Sequence, residues 1–264
     1  HFLKKHTYCS FLLMANNSKE VVLKGIPASP GICHGFAMLF AQINIDIPVY
    51  DISEDGISIE KERFEKAIIA TREEIIQIRD QVSNSLGKDE ALIFDAHLMV
   101  LEDNALITET IQHLEQNKQN VEYSFNVVVE RYINFFKTIE DEYLRERVSD
   151  IKDVSRRVLN NLVGAIKNGG QSTQQSRIIV SEDITPSQAV GFDKNNLLGF
   201  ITDSGGATSH FVIMSRSLKI PAVVGLHNAT EKIKPNDYLL IDGYEGLVFI
   251  NPTTETIKEY DQIA

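Results

Sequence analysis

Proline is missing from the entire stretch between Ser58 and Lys167. No proline there breaks a helix, so that two-fifths of the chain is free to be largely helical. Cysteine is nearly absent: Cys9 and Cys33 provide neither a disulfide framework nor metal-ligand spacing, and a reducing, cytoplasmic setting is expected. No apolar run approaches the roughly 18 residues that a membrane span needs. Positive charge is in deficit, with 26 Lys and Arg against 37 Asp and Glu and a net charge of −11. That argues against sequence-independent binding to nucleic acid, which works by displacing counterions with basic side chains, but leaves room for a partner with a basic face. The glycines are followed by no Gly-Lys-Ser/Thr, which excludes a P-loop.

The start, His1 to Lys5 followed by Phe11-Leu12-Leu13-Met14-Ala15, imitates a signal peptide only faintly, because Thr7 and Ser10 interrupt the apolar part. Met14 is a candidate start, and the tail after Pro252 opens a charged helical pattern that breaks off. A chain of 264 residues has room for two ordinary domains. Val21–Gly25 and Cys33–Phe40 read as strands, with Pro27, Pro30 and Gly31 predicting a turn-rich connection between them. Five helical faces follow. They are Phe64/Ile68/Ile75/Ile78/Val82; Leu92/Ile93/Ala96/Val100/Leu101; Leu106/Ile107/Ile111/Leu114; Tyr123/Val127/Val128/Tyr132/Phe135/Phe136; and Tyr143/Leu144/Ile151/Val154/Val158/Leu159/Leu162. Short connections between them predict an antiparallel bundle. After a polar linker, Gly169 to Ser176, five strand-like segments return: Arg177–Ser181, Leu197–Thr202, Ala222–Val224, Tyr238–Ile241 and Leu247–Ile250. Because strands flank the helical block on both sides, the expected fold is an α/β domain with an inserted all-α bundle.

The chemistry concentrates in Gly205-Gly206-Ala207-Thr208-Ser209-His210, between a predicted strand and a predicted helix. Backbone N–H groups at a helix start lack intrahelical partners and carry partial positive charge, so an anion suits the position. Such a place disfavours the imidazolium, which leaves His210 a lone pair for nucleophilic phosphoryl acceptance. The alternative is a capped helix with an incidental surface histidine. Thr185-Pro186 reads first as a plain helix cap, with orientation of the imidazole as its functional alternative. His97, beside Leu92, Met99 and Val100, reads as a structural residue, since no second ligand stands at metal spacing.

The run Gly199 to His210, continuing through Ile213-Met214-Ser215-Arg216-Ser217-Leu218 and Ile220 to Gly225, resembles the N-terminal half of enzyme I of the bacterial phosphoenolpyruvate:sugar phosphotransferase system. Gly25–Gly31, His97–Asp103, Asp141–Arg147, Asp183–Ser187 and Asn251–Thr253 agree in order and spacing. The resemblance implies that His210 carries the phosphoryl group on Nε2 and that Thr185 interacts with the ring. It implies that the helical insert binds HPr, the small phosphocarrier, through Asp89, Leu92, His97, Val100 and Arg147. It further implies residues 1–20 as a flexible extension, 21–52 with 168–251 as the phosphohistidine domain, 53–167 as the HPr-binding subdomain, and 252–264 as the start of a linker helix. The family's phosphoenolpyruvate and Mg2+ site belongs to a C-terminal domain absent from this chain, so no cofactor and no metal are expected here.

Most members of that family carry Arg where this sequence has Ala207. Without it, phosphoryl stabilisation falls to Gly205, Gly206, Thr208, Ser209 and another cation such as Arg216. Phe211 and Val212 are also bulkier than the residues usual after the histidine. Two rival readings remain: the swivelling phosphohistidine domain of a dikinase-type enzyme, and a non-catalytic docking module with an idle histidine.

Overall fold

A computed structural model of the chain describes residues 19–41, 45–140, 142–164, 176–206 and 209–263. Among them, no helix is long and apolar enough to cross a membrane. Eight strands form one mixed sheet in the order β1-β8-β7-β3-β4-β5-β6-β2. They are β1 (Val21–Lys24), β2 (Ile26–Ser29), β3 (Ile32–Leu39), β4 (Arg177–Ser181), β5 (Leu197–Thr202), β6 (Ala222–Val224), β7 (Tyr238–Asp242) and β8 (Leu247–Ile250). The central strands β3, β4, β5 and β6 run parallel, and both flanks are closed by antiparallel pairs.

The strands read as continuous apolar runs because both faces of the sheet are covered. In β4, Ile178 and Val180 join Ile201, Val223 and Leu239 in one core, while Ile179 packs with Phe200, Ala222 and Val224 in the other. The segment expected to be a turn-rich connection contains β2, which pairs antiparallel with β6. Proline cannot donate to a ladder, but β2 lies at the sheet edge, where Pro27 is tolerated.

Between β3 and β4 the chain leaves the sheet for five helices: α1 (Gly56–Ser85), α2 (Lys88–Leu101), α3 (Asn104–Asn117), α4 (Val121–Lys137) and α5 (Glu142–Val163). Gly87, at φ 141°, makes the turn from α1 to α2, and Asp103 caps α3 by accepting from the Ala105 and Leu106 amides. Phe94, Phe125, Leu114 and Ile75 are fully buried, each contributing about 1.5–3 kcal/mol of transfer free energy. Arg63 of α1 donates to Glu60 at 2.6 Å and to Glu122 of α4, while Glu60 accepts from the Val121 amide at 2.8 Å. This network fastens the start of α4 to α1.

Two helical faces are rotated from the sequence expectation. On α2 the buried residues are Ala91, Ile93, Phe94, His97 and Leu101, leaving Leu92 and Met99 60% and 67% exposed. On α4 they include Val121, Phe125, Val128, Val129 and Ile133, with Phe135 exposed. Each helix has more apolar residues than one stripe holds, so periodicity alone could not choose the inward set.

The remaining helices serve the sheet: α6 (Pro186–Gly191) follows β4, α7 (His210–Leu218) follows β5, α8 (Ala229–Lys232) follows β6 and α9 (Thr254–Ile263) follows β8. Gly243, after β7, packs so closely that a Cβ would lie 2.1 Å from the Ser29 carbonyl oxygen. Backbone cannot yield as a side chain can. Gly243→Ala is therefore expected to lower unfolding free energy by more than about 2 kcal/mol in urea denaturation, whereas Gly191→Ala, in open space, changes it little.

Candidate functional site

Parallel strands place ligands beyond their carboxyl ends, and the chemistry of this chain gathers beyond β4 and β5. After Thr202 the chain turns at Gly205, whose φ of 105° suits only glycine. The turn is fixed from outside: the Gly225 and Leu226 amides donate to the Ser204 and Thr202 carbonyls, and Asp203 caps α8 through the Ala229 and Thr230 amides. Gly206 has open space where a Cβ would stand. Ser209 is the extended N-cap of α7, and His210 is its first residue.

His210 Nδ1 lies 2.8 Å from Oδ1 of Asp150, which belongs to α5 in the helical subdomain. A carboxylate only accepts, so Nδ1 carries the proton and donates it. Nε2 of the neutral ring then holds the lone pair. The His210 side chain is one-quarter exposed, while Asp150 is almost wholly buried. Burial opposes ionisation of Asp150, but the hydrogen bond from His210 and the electrostatic influence of the His210 and His97 rings outweigh it and hold the carboxyl down at about 2.

His97 stands behind this pair and is fully buried. Its Nε2 is 3.4 Å from Asp150 Oδ1, its Nδ1 is 3.7 Å from Asp153 Oδ2, and its ring meets Phe94 edge-on. Among the described residues neither ring nitrogen has a hydrogen-bond partner, and Asp150 Oδ2 has none either. Asp153 accepts from the Ser187 hydroxyl of α6 at 2.7 Å, with Arg157 at 4.0 Å. The result is a buried row of acids and imidazoles spanning the two subdomains.

Ser209 Oγ is buried without a hydrogen-bond partner among the described residues, directly beside His210. Buried hydroxyls are normally satisfied, so this one is held ready to donate to a group that arrives at the helix start. Thr185 caps α6: its hydroxyl oxygen accepts from the Gln188 amide, and the Gln188 side chain accepts from the Thr185 amide. Asp150, by contrast, is in direct contact with the His210 ring. Nearby Asp183 accepts from the Ile184 amide, and burial, the chief influence, raises its carboxyl above the usual range.

Arg216 does not stand beside His210. Six residues further along α7, a rise of about 9 Å, its Nε donates to the Ala28 carbonyl at 2.6 Å. Thr208 and Ala207 lie outside the described residues. Phe211 and Val212 are core residues: Phe211 packs edge-on against Phe200, so their bulk points away from the imidazole.

The residues expected to form a docking face are divided. Asp89 and Leu92 are exposed on α2, Val100 and Arg147 are half-buried, and His97 is wholly inside, where no partner protein can touch it. Sequence reasoning missed Asp150 and Asp153. Their signal was a pair of carboxylates three apart, set within the apolar stripe Ile151, Val154, Val158 and Leu162.

Comparison with known proteins agrees with this architecture. The family described as PEP-utilising enzyme, N-terminal, matches residues 24–147, and that described as PEP-utilising enzyme, mobile domain, matches residues 173–246. Phosphoenolpyruvate-protein phosphotransferase of Listeria monocytogenes is 39% identical over 241 residues, covering 91% of this chain and 42% of the relative. The protein of the same name from Haemophilus influenzae is 37% identical, with 90% and 41% covered. The chain thus spans less than half the length of these curated relatives. A solution structure of enzyme I (nEIt) is 38% identical with a TM-score of 0.68, covering 91% of this chain and 97% of that one. A second structure, the N-terminal domain of Enzyme 1 - Nitrogen, is 24% identical with a TM-score of 0.53 and shares the fold. By sequence and by structure, the chain belongs to the enzyme I family of phosphoenolpyruvate-protein phosphotransferases and corresponds to its N-terminal part.

Proposed function

We propose that this chain relays phosphoryl groups between His210 Nε2 and a histidine of HPr, docked on the helical subdomain. The observation that carries the reading is the 2.8 Å contact of His210 Nδ1 with Asp150, which supports the tautomer with a nucleophilic Nε2. The lone pair of Nε2 attacks phosphorus as the P–N bond on the carrier breaks, and the leaving imidazole keeps that electron pair. Donors for the transferred group are Ser209 Oγ and the N–H groups of the first turn of α7. Little covalent chemistry is asked of the protein. Its task is to position two rings and to hold negative charge.

Leu92 and Met99, seven apart on the outer face of α2, form the apolar part of the proposed docking surface, with Asp89 on the same helix. The inner face of α2 carries His97 against Asp150. One helix therefore links the carrier's landing place to the support of the phosphoryl acceptor. Phosphoenolpyruvate and Mg2+ are expected to act through the part of the relatives that this chain does not span.

Incubation with labelled phospho-HPr is expected to place acid-labile label on the chain and none on His210→Ala. Binding without label would favour the docking module, and binding failure together with label loss would favour a dikinase-type domain. Leu92→Lys, at an exposed position, is expected to keep stability within about 0.5 kcal/mol while weakening carrier binding, read by calorimetry.

Asp150→Asn is expected to slow transfer on the order of tenfold, the equivalent of about 1.4 kcal/mol for one orienting hydrogen bond. The carboxyl is depressed in the fold, so its contribution to stability is complete above its ordinary value of 3.8 and lost as pH falls toward about 2. Over that window the native chain is expected to lose about 2 kcal/mol that the variant does not lose, measured by urea denaturation at stepped pH.

A further inference from the structure

Away from His210, a cavity of about 510 Å³ opens between the C-terminal end of α7, the β2–β3 connection and the β7–β8 turn. Pro27, Ala28, Ser29 and Pro30 form one wall, Arg216 and Lys219 a second, Gly243 and Tyr244 the third. No carboxylate lines it, although acidic residues outnumber basic ones in the chain by 37 to 26.

One of the two cations is anchored. Arg216 donates through Nε to the Ala28 carbonyl at 2.6 Å, which fixes the guanidinium plane. Neither of its terminal nitrogens has a hydrogen-bonded or ion-paired acceptor among the described residues, so the two-pronged edge is presented unused. Lys219 is set by a left-handed C-cap at φ 57°, and its ammonium has no ion-pair partner among the described residues. Cations near a helix C-terminus offset its dipole, which accounts for their sign. It does not account for the backbone anchor, the unused guanidinium edge or the lack of a neighbouring acid. Tyr244, 63% exposed, stands at the rim with a ring face for an organic group.

We propose that this cavity binds a phosphate monoester: the dianion on the Arg216 fork and the Lys219 ammonium, the organic part against Tyr244. A fork matches two phosphate oxygens, and two positive charges match a dianion. The space exceeds what a bare phosphate fills and lies within the range of sites for small organic ligands. A nucleoside monophosphate is the simplest ligand with a ring to stack. The site is separate from the phosphoryl relay and does not depend on it.

The test is amide NMR titration of the chain with AMP, inorganic phosphate and adenosine at constant ionic strength. Saturable shifts confined to residues 27–31, Arg216, Lys219 and 243–244 are expected with AMP, weaker ones with phosphate, and none with adenosine. Arg216→Lys keeps charge but removes the fork, and Lys219→Asn removes charge while suiting the left-handed backbone. Each is expected to weaken AMP binding about tenfold, the equivalent of one charge-assisted hydrogen bond. Tyr244→Ala should bring AMP down to the affinity of phosphate. His210→Ala should bind AMP unchanged, which separates this site from the relay. Equal affinity for AMP and phosphate in the native chain would overturn the role of Tyr244. Absence of saturable shifts, or shifts untouched by both cation variants, would overturn the site.

Discussion

Asp150 reaches His210 from a different subdomain, and the chemistry of the chain hangs on that reach. An imidazole at the start of a helix has two nitrogens and no intrinsic preference strong enough to choose between them. A buried carboxylate on one side chooses. The same contact ties α5 to α7, so the geometry that selects a tautomer also joins two folding units. His97, Asp153 and Ser187 extend the contact inward. Removing any one of them would leave a neighbour buried and less well paired, where polar groups are expensive.

Such a row is costly to build in apolar surroundings and returns specificity rather than bulk stability. The hydrophobic layers on either side, Phe94 and Phe125 in the bundle and Phe200 and Phe211 beneath the helix start, supply cohesion. They also hold the rings and carboxylates at distances that water would otherwise blur. Ser209 keeps an unsatisfied hydroxyl in this setting, a small local cost that becomes useful only when an oxyanion comes within reach.

Strand positions were legible in the sequence because buried parallel strands must be apolar through their centres, as Ile178–Val180 and Leu197–Ile201 are. The five helices were legible because proline is excluded and the apolar spacing repeats. Faces were less so: Leu92 and Phe135 look as fit for a core as Phe94 and Ile133, and only the packing partners decide. The histidine and its glycines stood out as a local pattern. Asp150 did not, since it lies 60 residues away and its role exists only when two subdomains touch. Thr185 shows the converse, where the plain reading as a helix cap describes the hydrogen bonds that its hydroxyl makes.

The strands β3 and β4 are neighbours in the sheet, yet the whole bundle lies between them in the chain. Closing that pair means joining ends across about 140 residues, a steep entropic demand on a flexible chain but a modest one once the intervening segment is already compact. β1, moreover, waits for β8, almost the last strand to be made. During synthesis the bundle can therefore mature alone, while the sheet must stay unfinished until Ile250 has been made. The proposed phosphoryl acceptor takes shape only after the surface proposed to receive its partner already exists.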